Sequence, residues 1–190
     1  MATTISNVRV RRLKMPRVDA GWRTSSYAAS SVEGFILEVT AGQTVGIGGT
    51  SAHPSNISGD DLEAQLNGPV RDILTGADVY EGNRIRESLR AADLHERATI
   101  AADLAIYDLL GKIANVPGYV LLGGRVRDHV NVVRMVGIKE PKDLKATVGD
   151  LVSQGLNHFK VKIGTGLEED VARIRALRDT FGDKIWIGVD

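Results

Sequence analysis

The hydrophobic period changes along the chain, and each change marks an element. Ile5, Val8, Val10 and Leu13 stand among polar residues at close to every second position, which predicts a strand that runs out near Pro16. After an irregular stretch, Phe35, Leu37 and Val39 alternate with Glu38 and Thr40, the chain turns at "AGQ", and the run resumes through Val45 and Ile47. A hairpin following one strand predicts a three-stranded antiparallel meander. From Ser58 or Asp60, either of which can cap a helix, the spacing becomes helical: Leu62 and Leu66 lie four apart, and Ile73 and Leu74 follow Pro69. A longer helical run from Asn83 to Pro117 sets Ile100, Leu104, Tyr107 or Asp108, and Gly111 a turn apart. Its alanines gather on one face and predict tight packing against a neighbour. Residues 1–125 thus read as α+β, with strands first and helices after.

The remaining residues alternate strand and helix. "HVNVVRMVGI" is a β-branched run, "PKDLKATVGDLVSQGL" puts Leu144, Val148, Leu151 and Val152 on one side, and "NHFKVKIG" is a second strand. "LEEDVARIRALRDTFGD" predicts a helix with Val171, Ile174 and Leu177 inward and "RIRALR" as a solvated face; "KIWIGVD" is a third strand. Short connections in a βαβαβ order imply a parallel sheet. Phe159, Val161 and Ile163 share one face of the second strand, so Lys160 and Lys162 share the other, their Cα atoms about 6.5 Å apart. In the third strand Ile185, Ile187 and Val189 oppose Trp186, Gly188 and Asp190. In a (β/α) barrel the outward face receives helices and the inward face becomes a site at the C-terminal strand ends, where two lysines and an aspartate would converge.

Composition narrows the partner. At 43% hydrophobic and 25% charged, the 190 residues suit a globular protein of one or two domains. Lys+Arg and Asp+Glu balance at 24 each, which gives no electrostatic reason for nucleic acid or an anionic membrane as partner and points to a small molecule. Cysteine is absent, so disulfides and thiolate metal sites are excluded. The N-terminus lacks an apolar run of signal-peptide length and no stretch approaches a membrane span, so a cytoplasmic location is expected.

The charged trio suggests chemistry. A lysine beside a second cation holds its proton less tightly and becomes a plausible base. An aspartate at a neighbouring strand end suits a hard divalent cation such as Mg²⁺, which takes oxygen ligands and stabilises an enolate. Together these residues point to removal of a carbon-bound proton. "GTGLEE" lacks the third glycine of a dinucleotide site and would set Glu168 and Glu169 against a pyrophosphate; "GIGGT" lacks the lysine of a phosphate loop. His95, His129 and His158 show no ligand spacing.

The segments "ISNVRVRRLKMP", "GIGGT", "AADLAIYDLLGKIANVPGYVLLGG", "KVKIG" and "IGVD", in that order, resemble the N-terminal part of the mandelate racemase/muconate lactonizing enzyme group of the enolase superfamily. The resemblance covers nearly the whole chain. It implies an α+β capping domain over residues 1–125 followed by the start of a (β/α) TIM-type barrel over 126–190, incomplete in this chain. It further implies Lys162 as the general base on the α-carbon, Lys160 as the companion that lowers that base's pKa and lies near the substrate carboxylate, and Asp190 as the first of three carboxylates on Mg²⁺. The segments around Trp22, Tyr27 and His53 match mobile loops that shape specificity, which makes those three candidate substrate contacts. A full barrel takes roughly 250 residues, so the expected function is part of a Mg²⁺-dependent racemase, epimerase, dehydratase or cycloisomerase. By itself the chain is expected to be inactive, a truncated form of a longer enzyme or a short protein in its own right. The expected partners are a small carboxylate substrate and either further copies of the chain, as a homo-oligomer, or the missing barrel segment. The alternative is a noncatalytic homologue acting as an assembly or interaction module.

Overall fold

The computed structural model describes residues 2–19, 21–53 and 56–190. They fall into two compact units, one combining Met1–Met15 with Val32–Val126 and the other combining Pro16–Ser31 with Arg127–Asp190. The stretch 16–31, grouped by sequence with the first half, clusters with the second. Among the described residues no helix is long and apolar enough to cross a membrane.

The first unit is built on a sheet in the order β1 (Asn7–Pro16), β2 (Ser31–Ala41), β3 (Thr44–Ser51). β2 pairs with β3 antiparallel, from Gly34 opposite Ser51 to Ala41 opposite Thr44. The tight turn between them uses Gly42 at φ 58°, a conformation that costs glycine little. Phe35, Leu37, Val39 and Ala41 are buried, so the period of two in β2 is the period of its core face.

The helices follow as α1 (Gly59–Gln65), α2 (Arg71–Leu74), α3 (Gly82–Ala91), α4 (Glu96–Ala114) and α5 (Gly118–Leu121). Ser58 caps α1, its side chain accepting from the Asp61 N–H. Pro69 sits in a π-type turn, Leu66–Val70, where Gly68 leaves helical geometry. The run expected from Asn83 to Pro117 is broken: Asp93 adopts φ 50°, and the His95 ring accepts from the Arg97 N–H to start α4. α4 ends at Asn115 in left-handed geometry, two residues before Pro117.

α4 lies on β3 through its small residues. A Cβ at Gly48 would come within 1.9 Å of the Ala101 carbonyl, and one at Gly46 within 2.3 Å of that of Ala105. This approach buries Ala98, Ala101, Ala102, Ala105, Ile106, Leu109 and Ile113. Ile100 and Leu104, spaced a turn apart, are 45% and 50% exposed, because a backbone-to-backbone contact has no room for them. Asp108 accepts the Ile47 N–H at 2.7 Å, and Lys112 donates to the Val45 carbonyl at 2.8 Å, so α4 satisfies polar groups along β3, the last strand of the sheet.

The second unit carries a parallel sheet in the order β4 (Val133–Val136), β5 (His158–Val161), β6 (Trp186–Val189). Its crossover helices are α6 (Pro141–Ser153), which opens on proline at N1, and α7 (Leu167–Phe181), which has Glu168, Glu169 and Asp170 in its first turn. Val136, Phe159, Val161 and Ile185 form a core with Leu144 and Val148 of α6 and Leu177 of α7. One face of α7 departs from expectation. Val171 is 43% exposed while Arg173, read as part of a solvated face, is 4% exposed.

Overpacking a tight contact strains backbone or rotamers by about 1–3 kcal/mol. Gly48→Ala is therefore expected to lower stability by at least ~2 kcal/mol in urea unfolding. Gly49→Ala, whose new methyl would meet nothing closer than 3.9 Å, should stay within about 1 kcal/mol of wild type, the cost difference between a clash and an open site. Equal midpoints for the two variants would contradict the proposed packing.

Candidate active site

The backbone ladder extends two residues past β5 and one past β6 and so fixes the chemistry-bearing positions. Lys162 N–H donates to the Val136 carbonyl at 2.9 Å, Ile163 N–H to that of Asp190 at 3.0 Å, and Asp190 N–H to that of Val161 at 3.2 Å. Phe159 and Val161 turn into the helix-covered core, so alternation sends Lys160 and Lys162 to the opposite face. Register sets Lys160 beside Gly188, over which the Trp186 ring lies, 2.6 Å from where a Cβ would be.

The three side chains meet on one atom. Lys160 Nζ lies 2.8 Å from Asp190 Oδ2, and Lys162 Nζ contacts the same oxygen. Lys162 is the more enclosed lysine, its side chain 19% exposed against 41% for Lys160. The hydrogen bond from Lys160 and then that from Lys162 hold the Asp190 carboxyl at about 2, against partial burial that would raise it. The like charges two residues apart thus share a counter-charge.

The segment 16–31 rests on the ends of β4 and β5. The Arg23 carbonyl accepts the Ile138 N–H at 3.0 Å, Asp19 pairs with Lys139 at 2.8 Å, and Ser25 stands 3.0 Å from where a Gly164 Cβ would be. Trp22 lies against Gly137, stacks under the Arg17 guanidinium at 4.1 Å and meets Tyr27 with ring centroids 5.5 Å apart. Trp22 and Tyr27 are therefore brought together beside the strand ends. His53 belongs to the first unit, exposed just past β3, with its carbonyl accepting from Ser51 Oγ at 3.0 Å.

Sequence reasoning missed the support beneath the turn after Lys162. Asp170 accepts the Gly164 N–H at 2.9 Å and a bond from Arg173, whose Nη2 also reaches Thr165 Oγ1. The signal available was an arginine at an inward helical position three residues after an aspartate.

Asp190 offers a hard oxygen of the kind that Mg²⁺ takes. Among the described residues no group of three or more His, Cys, Asp or Glu could hold a metal ion, so the residues present fit one ligand of such a site and not the set.

No family model matches the chain. It is 32% identical over 166 residues to the L-Lys-D/L-Arg epimerase of Desulforapulum autotrophicum, covering 85% of this chain and 46% of that protein. The crystal structure of N-succinyl Arg/Lys racemase from Bacillus cereus superimposes with a TM-score of 0.90 at 26% identity, covering 98% of this chain and 52% of that one. The dipeptide epimerase of Enterococcus faecalis, solved with Mg and the dipeptide L-Leu-L-Tyr, gives a TM-score of 0.88 at 27% identity, covering 98% and 53%. The chain is a homologue of the mandelate racemase/muconate lactonizing enzyme group of the enolase superfamily. It spans about half the length of the relatives it matches. Within this homologue the two lysines and Asp190 form the charged cluster at the parallel sheet's C-terminal edge, the face on which α/β sheets carry their sites.

The depressed Asp190 pKa gives a signed pH test. Its folded value of about 2 lies below the ordinary 3.8, so the pair's contribution is complete above about 3.8 and is lost as pH falls toward 2. Lys160→Met removes the first donor and should move the Asp190 midpoint up toward 3.8, read from its ¹³C carboxyl shift. An unchanged midpoint would show that the lysine is not the cause.

Proposed function

We propose that this chain forms part of a Mg²⁺-dependent enzyme that abstracts the proton α to a carboxylate. The observation that carries the reading is the convergence of Lys160, Lys162 and Asp190 on one carboxylate oxygen at adjacent strand ends. Lys162, the more enclosed of the two lysines and fixed by backbone bonds on both sides, takes the role of base at Nζ and receives the α-proton in its neutral form. Lys160, more open to solvent, is assigned to the substrate carboxylate, where an ammonium supplies charge without directional demand. Trp22 and Tyr27 are assigned as substrate contacts because the segment carrying them rests on the same strand ends. His53 joins them on the family resemblance.

Asp190 would be one oxygen ligand of Mg²⁺, which when bound supplies Lewis-acid stabilisation of the enolate. With one carboxylate at the site, the 190 residues acting alone are proposed to be inactive. The names of the relatives favour proton transfer to and from one carbon of an amino-acid derivative: a racemase and a dipeptide epimerase at 38% identity, and another epimerase at 32%, stand beside dehydratases at 30–31%. Racemisation or epimerisation is therefore the proposed outcome, with dehydration and cycloisomerisation the other members of the class.

A second reading, as a noncatalytic assembly module, draws on the sheet face opposite α6 and α7. Val133, Met135 and Trp186 are about half exposed there. Such apolar surface suits a covering partner.

The discriminating experiment is deuterium incorporation at the substrate α-carbon in D₂O. It uses the enzyme with its full set of metal carboxylates and N-acyl amino acids and dipeptides as substrates. Lys162→Ala should lower exchange by at least ~10³-fold, within the range set by a lost general base, while Mg²⁺ binding is retained. Exchange at the wild-type rate would refute the role of Lys162, and its absence from the wild-type enzyme across the substrate panel would favour the assembly reading.

A further inference from the structure

Lys162 and Ile163 are the last positions on the backbone ladder before a pliable turn. Beyond Ile163 the chain passes through Gly164 at φ 109° and Gly166 at φ 150°, two glycines in conformations that other residues rarely adopt. A turn so built does not hold its own shape. Something outside it must, since the ladder secures the chain only as far as Ile163.

The bonds that hold it come from α7. Asp170 Oδ2 accepts the Gly164 N–H at 2.9 Å, and its other oxygen accepts from Arg173 Nη2, which also donates to Thr165 Oγ1. Arg173 is 4% exposed, a position at which an unpaired guanidinium would be strongly unfavourable. Its pairing with Asp170 makes a nearly neutral buried unit. Burial would raise the Asp170 pKa, but the Gly164 amide and Arg173 outweigh it and the carboxyl is shifted down. A role confined to the helix start would not need this pair, since Glu168 and Glu169 already place negative charge in the first turn of α7. Asp170 and Arg173 reach back to the turn by hydrogen bonds, one to its backbone and the other to its side chain.

We propose that Asp170 and Arg173 are positioning residues for Lys162, acting through the turn 163–166. The proposal rests on the reading of Lys162 as the base. Displacing a reacting group by about 1 Å costs on the order of 10²-fold in rate, so loss of this support should appear in kcat. A purely structural pair would lower stability and leave the turnover of the folded fraction unchanged.

The test is steady-state α-proton exchange in the enzyme with its full set of metal carboxylates, on Asp170→Asn, Arg173→Met and Arg173→Lys. Asp170→Asn and Arg173→Met should lower kcat by about 10–100-fold with KM within roughly 3-fold, the pattern of an interaction felt at the transition state. Arg173→Lys, which keeps the charge, should recover part of the loss. Amide hydrogen exchange at Gly164 should quicken in the first two variants, a readout independent of activity. In a Lys162→Ala background neither variant should lower the residual rate further, since both act through that lysine.

Full kcat in a folded Asp170→Asn enzyme, or an undiminished further loss without Lys162, would overturn the proposal. Should Arg173→Met fail to fold, Thr165→Val removes one Arg173 acceptor at the surface end of the network; a severalfold drop in kcat supports the role and an unchanged kcat sinks it. If Lys162→Ala keeps wild-type exchange, the base assignment falls and the positioning role with it. If Lys162→Ala loses exchange while Asp170→Asn does not, the positioning role alone fails.

Discussion

A single carboxylate oxygen, shared by two ammonium groups, is the interaction on which the second unit's site turns. Side chains two apart on a strand cannot avoid each other, so a lysine pair on one face carries a repulsion set by the pleat itself. Asp190 Oδ2 sits between them and relieves it, which requires β6 to run beside β5 in the observed register. The backbone bonds of Lys162, Ile163 and Asp190 then make this register continuous past the ends of the strands. Position, charge and proton affinity at the site are therefore set by the same ladder.

That ladder is held from the other side by packing. Phe159, Val161 and Val136 anchor one face against Leu144, Val148 and Leu177, and because strand alternation leaves no choice, burying those residues commits the lysines to the opposite face. A one-residue slip would bury two ammonium groups and expose the phenyl ring. The cost of that alternative makes the observed register specific. The first unit reaches its order by a different route, in which Gly46 and Gly48 let α4 approach β3 at backbone distance and Asp108 and Lys112 satisfy groups along that strand.

The residues legible in the sequence were those whose pattern is local. Alternation alone placed Phe35, Leu37 and Val39 inside and paired Lys160 with Lys162, and the alanines of α4 announced a close contact. What the pattern left open or misplaced was decided by a neighbour's backbone. Ile100 and Leu104 fall on a good helical stripe and are exposed nonetheless, because the glycines of β3 reserve the contact for alanine. Arg173 was read as solvated because arginine usually is; its burial depends on a hydroxyl and a carboxylate that only the turn after β5 brings within reach. The break between α3 and α4 rests on Asp93 in left-handed geometry and on the His95 ring as cap, neither of which has a strong sequence signature.

The contrast between how the lysines and the capping segment are held bears on how one scaffold can serve several reactions. Lys160, Lys162 and Asp190 stand on, or one residue beyond, strands whose backbone bonds continue through them. The segment carrying Trp22 and Tyr27 is held to the strand ends by a half-buried ion pair between Asp19 and Lys139, a backbone bond from Ile138 to Arg23, and the packing of Trp22 on Gly137. Contacts of this kind contribute little individually and tolerate substitution, while a change to the ladder would move every charged group at once. Relatives named as racemases, epimerases and dehydratases match this chain at 24–38% identity. A charged edge fixed by the ladder beneath a lightly held segment is a scaffold on which the segment can change without moving the three charged groups.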